Sequence, residues 1–141
     1  MTMPISQAAR ATGLTPDTLR YYERIGLLAN VARDAGGRRR YASADIERLA
    51  FIRRAQQMNF SLAEIRQLLQ LRDGDSTDRP AARRLAGAKL EAIRDRIQAL
   101  QQLERELGSL IDCCRHAADG RDCPIIAGIQ GQPAAAQQKR Q

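Results

Sequence analysis

The chain has 141 residues, 43% of them hydrophobic, with no Trp, only 4% aromatic residues and a formal net charge of +7. That length suits one compact domain, or a small domain with an extension, and a Leu/Ala-rich sequence with much Arg, Glu and Gln favours helix, so the expected class is mainly α. No run of 18 apolar residues and no basic start followed by an apolar stretch occurs, so neither a transmembrane helix nor a signal peptide is expected, and the chain is expected in the cytoplasm.

In that reducing compartment the three Cys are expected as free thiols or metal ligands, not disulfides. The positive charge is uneven: residues 1–71 hold 11 Arg against 6 acids. An Arg-rich face there can displace counterions from a phosphate backbone, or can simply be solvated; charge alone does not separate the two.

In chain order, Ser6 is expected to cap a short helix ended by Gly13. Thr15 caps a second helix with Pro16 in its first position, ending at Gly26. Two helices joined around Gly13 read as helix-turn-helix. Gly36-Gly37, between short segments and before Arg38-Arg39-Arg40-Tyr41, predicts a β-hairpin wing. Ser43 is expected to cap a third helix with Ile46, Leu49, Ala50 and Ile52 as its apolar stripe, and Ser61–Glu64 is a capping box for a fourth. Residues 72–80 are polar and read as a linker. A long helix over residues 81–113 follows. Leu90, Ile93, Ile97, Leu100, Leu107 and Ile111 recur at 3,4 spacing, with Glu104 interrupting beside Leu103. Such a seam is a coiled-coil stripe and wants a partner, so a homodimer is expected, with packing on the first domain as the alternative. Residues 114–130 form a candidate effector loop, and 131–141 a disordered tail.

The DNA-reading candidates are Thr15, Thr18, Arg20, Tyr21, Tyr22 and Arg24 on the second helix, and Arg38, Arg39, Arg40 and Tyr41 in the wing. Arg pairs with phosphate or guanine, and Tyr hydroxyls reach phosphates. Leu19, Leu27 and one of the two adjacent Tyr fit the core better. A helix and a basic hairpin together grip a duplex at two points.

The segment from Thr18 to Leu28, with Arg39-Arg40-Tyr41, Asp45 to Ile52 and Phe60 to Ile65, closely resembles the MerR family of bacterial transcription regulators over about residues 4–130. The resemblance implies an antiparallel coiled-coil dimer with a winged helix-turn-helix domain at each end. It implies binding to a promoter whose −35 to −10 spacer is too long, with the effector-bound dimer bending and untwisting that DNA for RNA polymerase.

Cys113, Cys114, His116 and Cys123 cluster after the long helix. The 3,4 seam continues onto Cys114, and a loop containing Gly120 can return Cys123 to it, ahead of a short apolar turn from Pro124. Two thiolates together suit a soft ion; small core cysteines or reactive thiols are the alternatives. Cys-x8-Cys-Pro-Ile-Ile resembles the metal-binding loop of the family's metal sensors, which makes Cys114 and Cys123 the ligands and Cys113 and His116 auxiliary candidates. Divalent-ion sensors of the family usually carry a further Cys near the start of the long helix. That position falls at about Arg79, and residues 1–112 contain no Cys; Ser76 or Thr77 is the nearest substitute. Two thiolates satisfy a linear monovalent ion, so Cu(I) is favoured, with Ag(I), Au(I), Hg(II) and Zn(II) as further candidates, and a divalent ion (Hg, Zn, Cd or Pb) or a thiol oxidant sensor as the rival readings. An enzyme is not expected, because Cys114 and His116 offer neither an oriented base nor a pocket.

Overall fold

A computed structural model of the chain describes residues 1–75, 78–117 and 123–131. The expectations placed on Ser76 and Thr77, on Gly120 in the loop and on the tail beyond residue 131 lie outside the described residues. The chain divides into two compact units, Met1–Lys89 and Leu90–Gln141.

The first unit opens with strand β1 (Thr2–Pro4), which runs directly into helix α1 (Ile5–Thr12). Helix α2 (Pro16–Arg24) follows, with the Thr15 hydroxyl accepting the Thr18 N–H at 3.1 Å and Pro16 in the first turn. The wing is a hairpin of β2 (Ala32–Arg33) and β3 (Arg39–Ala42). Its turn is pinned by the Asp34 carboxylate, which accepts the N–H groups of Gly36 at 3.0 Å and Arg38 at 2.9 Å. Gly37 sits there at φ +80°, a left-handed conformation that a side chain would strain. Helices α3 (Ser43–Gln57) and α4 (Leu62–Asp73) complete the module, and the Ser61/Glu64 capping box closes with bonds of 3.1 and 2.8 Å.

β3 is the central strand of a three-stranded antiparallel sheet ordered β1-β3-β2, with Met3 opposite Tyr41 and Arg33 opposite Arg39. Beneath it, Ala8, Leu19, Leu27, Leu28, Tyr41, Leu49, Ile52, Ile65 and Leu69 are essentially excluded from water. Residues from every helix of the module and from β3 therefore meet in one core. Arg48 fastens it from outside, donating to the Leu27 carbonyl at 2.6 Å and pairing with Asp73 at 2.8 Å.

Several expectations are corrected. Ser6 lies inside α1, whose capping position is Pro4: pairing of β1 with β3 carries the chain straight into the helix and leaves no free residue to cap it. Ser43 is the first residue of α3. The cap is instead the Asp45 carboxylate accepting the Ala42 N–H at 2.9 Å. Ala50 is exposed, and Ala55 takes its place in the buried stripe with Leu49 and Ile52.

The long helix α5 runs Arg79–His116, 38 residues or about 57 Å at the usual rise. It starts before Pro80 because the Asp78 carboxylate caps it, accepting the Ala81 N–H at 3.0 Å. Pro80 then falls in the first turn, where its missing N–H costs nothing. The segment from Pro124, expected as a turn, is a short helix α6 (Pro124–Gln130) ended by Gly131 at φ +68°. Within the second unit α6 lies hard against α5. A Cβ on Gly128 would stand 2.6 Å from a Leu110 methyl, so only glycine allows that approach.

Candidate functional site

On α2 the side chains of Thr15, Arg20, Tyr21 and Arg24 are exposed and Thr18 is half-buried. The hydroxyls of Thr15 and Thr18 lie 2.8 Å apart. Arg20 is paired with Asp17 at 2.8 Å on the same exposed face, and the Arg24 guanidinium lies 5.3 Å above the Tyr21 ring. Exposed pairs of this kind are worth little and exchange readily for a phosphate.

The three wing arginines, alike in sequence, differ in space. Arg38 is exposed at the turn. Arg40 reaches back to β1, donating to the Thr2 carbonyl at 3.0 Å. Arg39, half-buried, pairs with Glu23 at the end of α2. Arg20, Arg38 and Arg39, together with Pro4 and Ile5, line a hollow of about 210 Å³. Of these three arginines, Arg20 is engaged by Asp17 and Arg39 by Glu23, which among the described residues leaves Arg38 as the unengaged exposed arginine beside the hollow.

Of the two adjacent Tyr, the one expected in the core is Tyr22, whereas Tyr41, expected as a contact, is core as well. Tyr22 is 3% exposed and Tyr41 is fully buried. Both belong to the hydrophobic core of the module, which leaves Tyr21 as the exposed tyrosine of α2. Arg33 was missed by sequence reasoning. It lies on the exposed β2 strand, donates to the Gly37 carbonyl at 2.9 Å and approaches Glu23 at 3.7 Å. Its position opposite Arg39 follows from hairpin register, which the Gly-Gly turn alone does not fix.

In the second unit the structure brings Cys114, near the end of α5, beside Cys123, which precedes the first turn of α6. The amides of Ile126 and Ile125 close no capping bond on the Cys123 sulfur, yet they lie near enough to favour its thiolate and draw its pKa down. The Cys114 thiol is held up by its hydrogen bond to Cys123 and by repulsion from that charge. The two thiols therefore titrate as a linked pair. Two adjacent sulfurs, one biased to the thiolate, fit a thiophilic ion. All three Cys are exposed. Cys113 and His116 do not join the pair: among the described residues no three His, Cys, Asp or Glu side chains converge as a metal-binding group. The His116 ring instead bonds the Asp112 carbonyl of its own helix at 2.8 Å through Nδ1.

Helix-turn-helix, basic hairpin and a core closed by two further helices define a winged DNA-binding protein. The sequence matches the model of the MerR HTH family regulatory proteins over residues 3–72, and a second model, described as MerR, DNA binding, over residues 46–110. A mercuric resistance operon regulatory protein of Serratia marcescens is 39% identical over 131 residues, covering 92% of this chain and 89% of the relative. A transcription regulator of Ralstonia metallidurans solved in complex with lead(II) is 35% identical with a TM-score of 0.74, covering 90% of this chain and 98% of that one. The MerR of Bacillus megaterium, solved with mercury(II), is 32% identical with a TM-score of 0.65, covering 87% of this chain and 94% of that one. The chain belongs to the MerR family of helix-turn-helix transcription regulators. Among the described residues no helix is long and apolar enough to cross a membrane.

Proposed function

We propose that this chain is a metal-responsive transcription regulator that grips promoter DNA as a homodimer and responds to a thiophilic ion held by Cys114 and Cys123. The observation that carries the metal reading is the pairing of those two thiols at the junction of α5 and α6. A pair of soft donors is a complete ligand set for a two-coordinate ion, so Cu(I) is the favoured occupant, with Ag(I) and Au(I) as chemical analogues. When bound, the ion would tie the start of α6 to the end of α5 and require both thiols to lose their protons.

On the DNA side, Thr15, Thr18, Arg20, Tyr21 and Arg24 of α2 would meet the groove and its flanking phosphates. Arg38 and the hollow beside it would hold a backbone phosphate. The exposed seam on α5, from Leu90 to Ile111, would be covered by the same helix of a second copy in antiparallel arrangement. Distortion of the promoter spacer for RNA polymerase would be the output.

A second reading is favoured by the relatives: regulators solved with lead(II) and mercury(II) share 35% and 32% of the sequence. Mercury(II) also accepts two thiolates. Lead(II), zinc(II) or cadmium(II) needs further donors, for which Cys113 and His116 are the nearest candidates.

Metal analysis of anaerobically purified protein, joined to run-off transcription with each ion, separates the readings. Copper at one ion per thiol pair, with activation lost in Cys114→Ser and Cys123→Ser but retained in Cys113→Ser, supports Cu(I). Activation by a divalent ion that His116→Ala or Cys113→Ser removes supports the second reading. Activation by peroxide alone overturns both.

A further inference from the structure

We propose that Glu23, an acid within a basic DNA-reading face, is a positioning residue that locks the wing to the recognition helix. The inference rests on the DNA-binding reading above. Glu23 lies at the end of α2 with its side chain 21% exposed. Its two carboxylate oxygens are divided between the two wing strands. Oε2 accepts from Nε of Arg39 on β3, and Oε1 lies 3.7 Å from Arg33 on β2. Arg33 and Arg39 face each other in the hairpin register, so one carboxylate spans both strands. Arg33 also donates to the Gly37 carbonyl in the turn, which ties the tip of the wing to the same carboxylate.

β3 is held by β1 and by the core, but β2 is an exposed edge strand of two residues joined to the sheet only opposite Arg39 and Arg40, so the outer half of the wing is weakly held by strand pairing alone. A duplex gripped by helix and wing is bound well only if the two are held at a fixed separation, since disorder in either must be removed on binding. Glu23 supplies that fixing before DNA arrives. Arg39, which sequence groups with its neighbours as a phosphate contact, thereby serves chiefly as the strut's other half. Exposed Arg38 and the α2 donors are left to meet the phosphates.

The proposal gives Glu23→Gln an effect opposite in sign to bare electrostatics. Removing a negative charge beside DNA should tighten binding if the carboxylate only repels phosphate. If it positions the wing, binding should weaken about tenfold, and the dependence of log K on log[salt] should become shallower by about one phosphate's worth, ~0.9. The probe is a duplex selected by the wild-type protein from a random-sequence pool, with affinities referred to the DNA-competent fraction so that partial unfolding does not count. Glu23→Asp should recover part of the loss. Glu23→Gln should add only a small part of its own effect in an Arg39→Gln background, because the Arg33 contact is then all that remains to be lost. Equal or tighter binding by Glu23→Gln, or full additivity with Arg39→Gln, overturns the proposal while leaving the DNA-binding reading intact. Failure of the wild-type protein to select any duplex overturns both.

Discussion

The two units handle apolar surface in opposite ways. In residues 1–89, Leu19, Leu27, Leu28, Leu49, Ile52, Ile65 and Leu69 are all 2% exposed or less. Along α5 beyond that point, Leu90, Ile97, Leu100, Leu103, Leu107 and Ile111 remain 43–51% exposed, and no residue of α5 is buried. The same residue types thus serve as core in one unit and as surface in the other. The difference lies in where their partners are. The module's strands and helices return the chain to itself within a few tens of residues. Among the described residues, the stripe of α5 from Leu90 to Ile111 is left open to solvent. The first unit buries its apolar residues within itself, whereas the second, on the reading proposed above, leaves its stripe for a second copy.

The sharpest way to break that contrast is Ile97→Asp. In a seam covered by a second copy, the change would place an unpaired carboxylate in an apolar interface. We expect the dimer to weaken by roughly 3 kcal/mol or more, about 100-fold, as read by sedimentation equilibrium. The thermal unfolding of the DNA-binding module should be unaffected once the chain is monomeric. A variant that still sediments as a dimer shows that Ile97 is surface in the assembly too, and the contrast between the units fails.

Gly128→Val tests the second unit from within. Its first added carbon would stand 2.6 Å and 2.9 Å from the two Leu110 methyls, so α6 must move away from α5. Neither donor is touched, yet Cys123 should shift from Cys114. The expected result is about a tenfold loss of metal affinity with operator binding preserved, and slower closure of a Cys114–Cys123 disulfide under mild oxidant. Unchanged affinity would mean that the thiol pair does not depend on how α6 is seated.

What the sequence makes legible follows the same division. Thr15-Pro16 and Ser61-x-x-Glu64 are local signals and mark their helices where the structure has them. Gly36-Gly37 likewise marks the wing turn. β1 is invisible in sequence because three residues show no alternation and its partner, Thr2 with Ala42, lies forty positions away. Sequence places one of Tyr21 and Tyr22 in the core without saying which, and Tyr41 misleads outright, because a phenol reads equally as a polar contact and as a large core ring; only packing decides. The three wing arginines look equivalent as a run, but alternation along β3 and the reach of Glu23 give each a different task. Spacing allows a loop that returns Cys123 toward Cys114, and the family resemblance makes the two a pair. The role of the α6 amides in favouring one thiolate is legible in neither, because that stretch reads as a turn until its helix is seen.

A smaller effect is expected at the wing turn as pH falls. The Asp34 carboxyl is held below its ordinary pKa chiefly by the Arg38 N–H, with the Gly36 N–H adding to it. A group with a lowered folded pKa contributes its stabilisation fully above the unfolded value near 4 and loses it as pH falls through the folded value. The hairpin amides should therefore stay ordered down to about pH 4 and loosen only below it, while the α1–α4 core persists. Asp34→Ala should show loosened turn amides already at neutral pH. Identical amide spectra for variant and wild type would remove Asp34 as the pin of the wing.

The smallest expected effect has the opposite sign. Tyr41 is fully buried, and among the described residues its hydroxyl finds no hydrogen-bond partner. A buried hydroxyl left unpaired is unfavourable, by about 1–3 kcal/mol in the general case. Removing it leaves the ring packing untouched, so Tyr41→Phe should stabilise the module by about 1 kcal/mol, a rise of several degrees in melting temperature. The gain should widen in alkali. Burial, helped by the Glu23 charge, raises the Tyr41 pKa above its ordinary value near 10. The unfolded chain then loses that proton first, so wild-type stability is intact below pH 10 and declines as pH rises toward the folded pKa, a decline Phe cannot show. The same substitution separates core from contact. A Tyr41 hydroxyl that touched phosphate would cost affinity when removed, whereas a buried one leaves DNA binding unchanged. Weaker binding by Tyr41→Phe, with no gain in stability, would return Tyr41 to the DNA-reading face and breach the boundary between core and surface in the first unit.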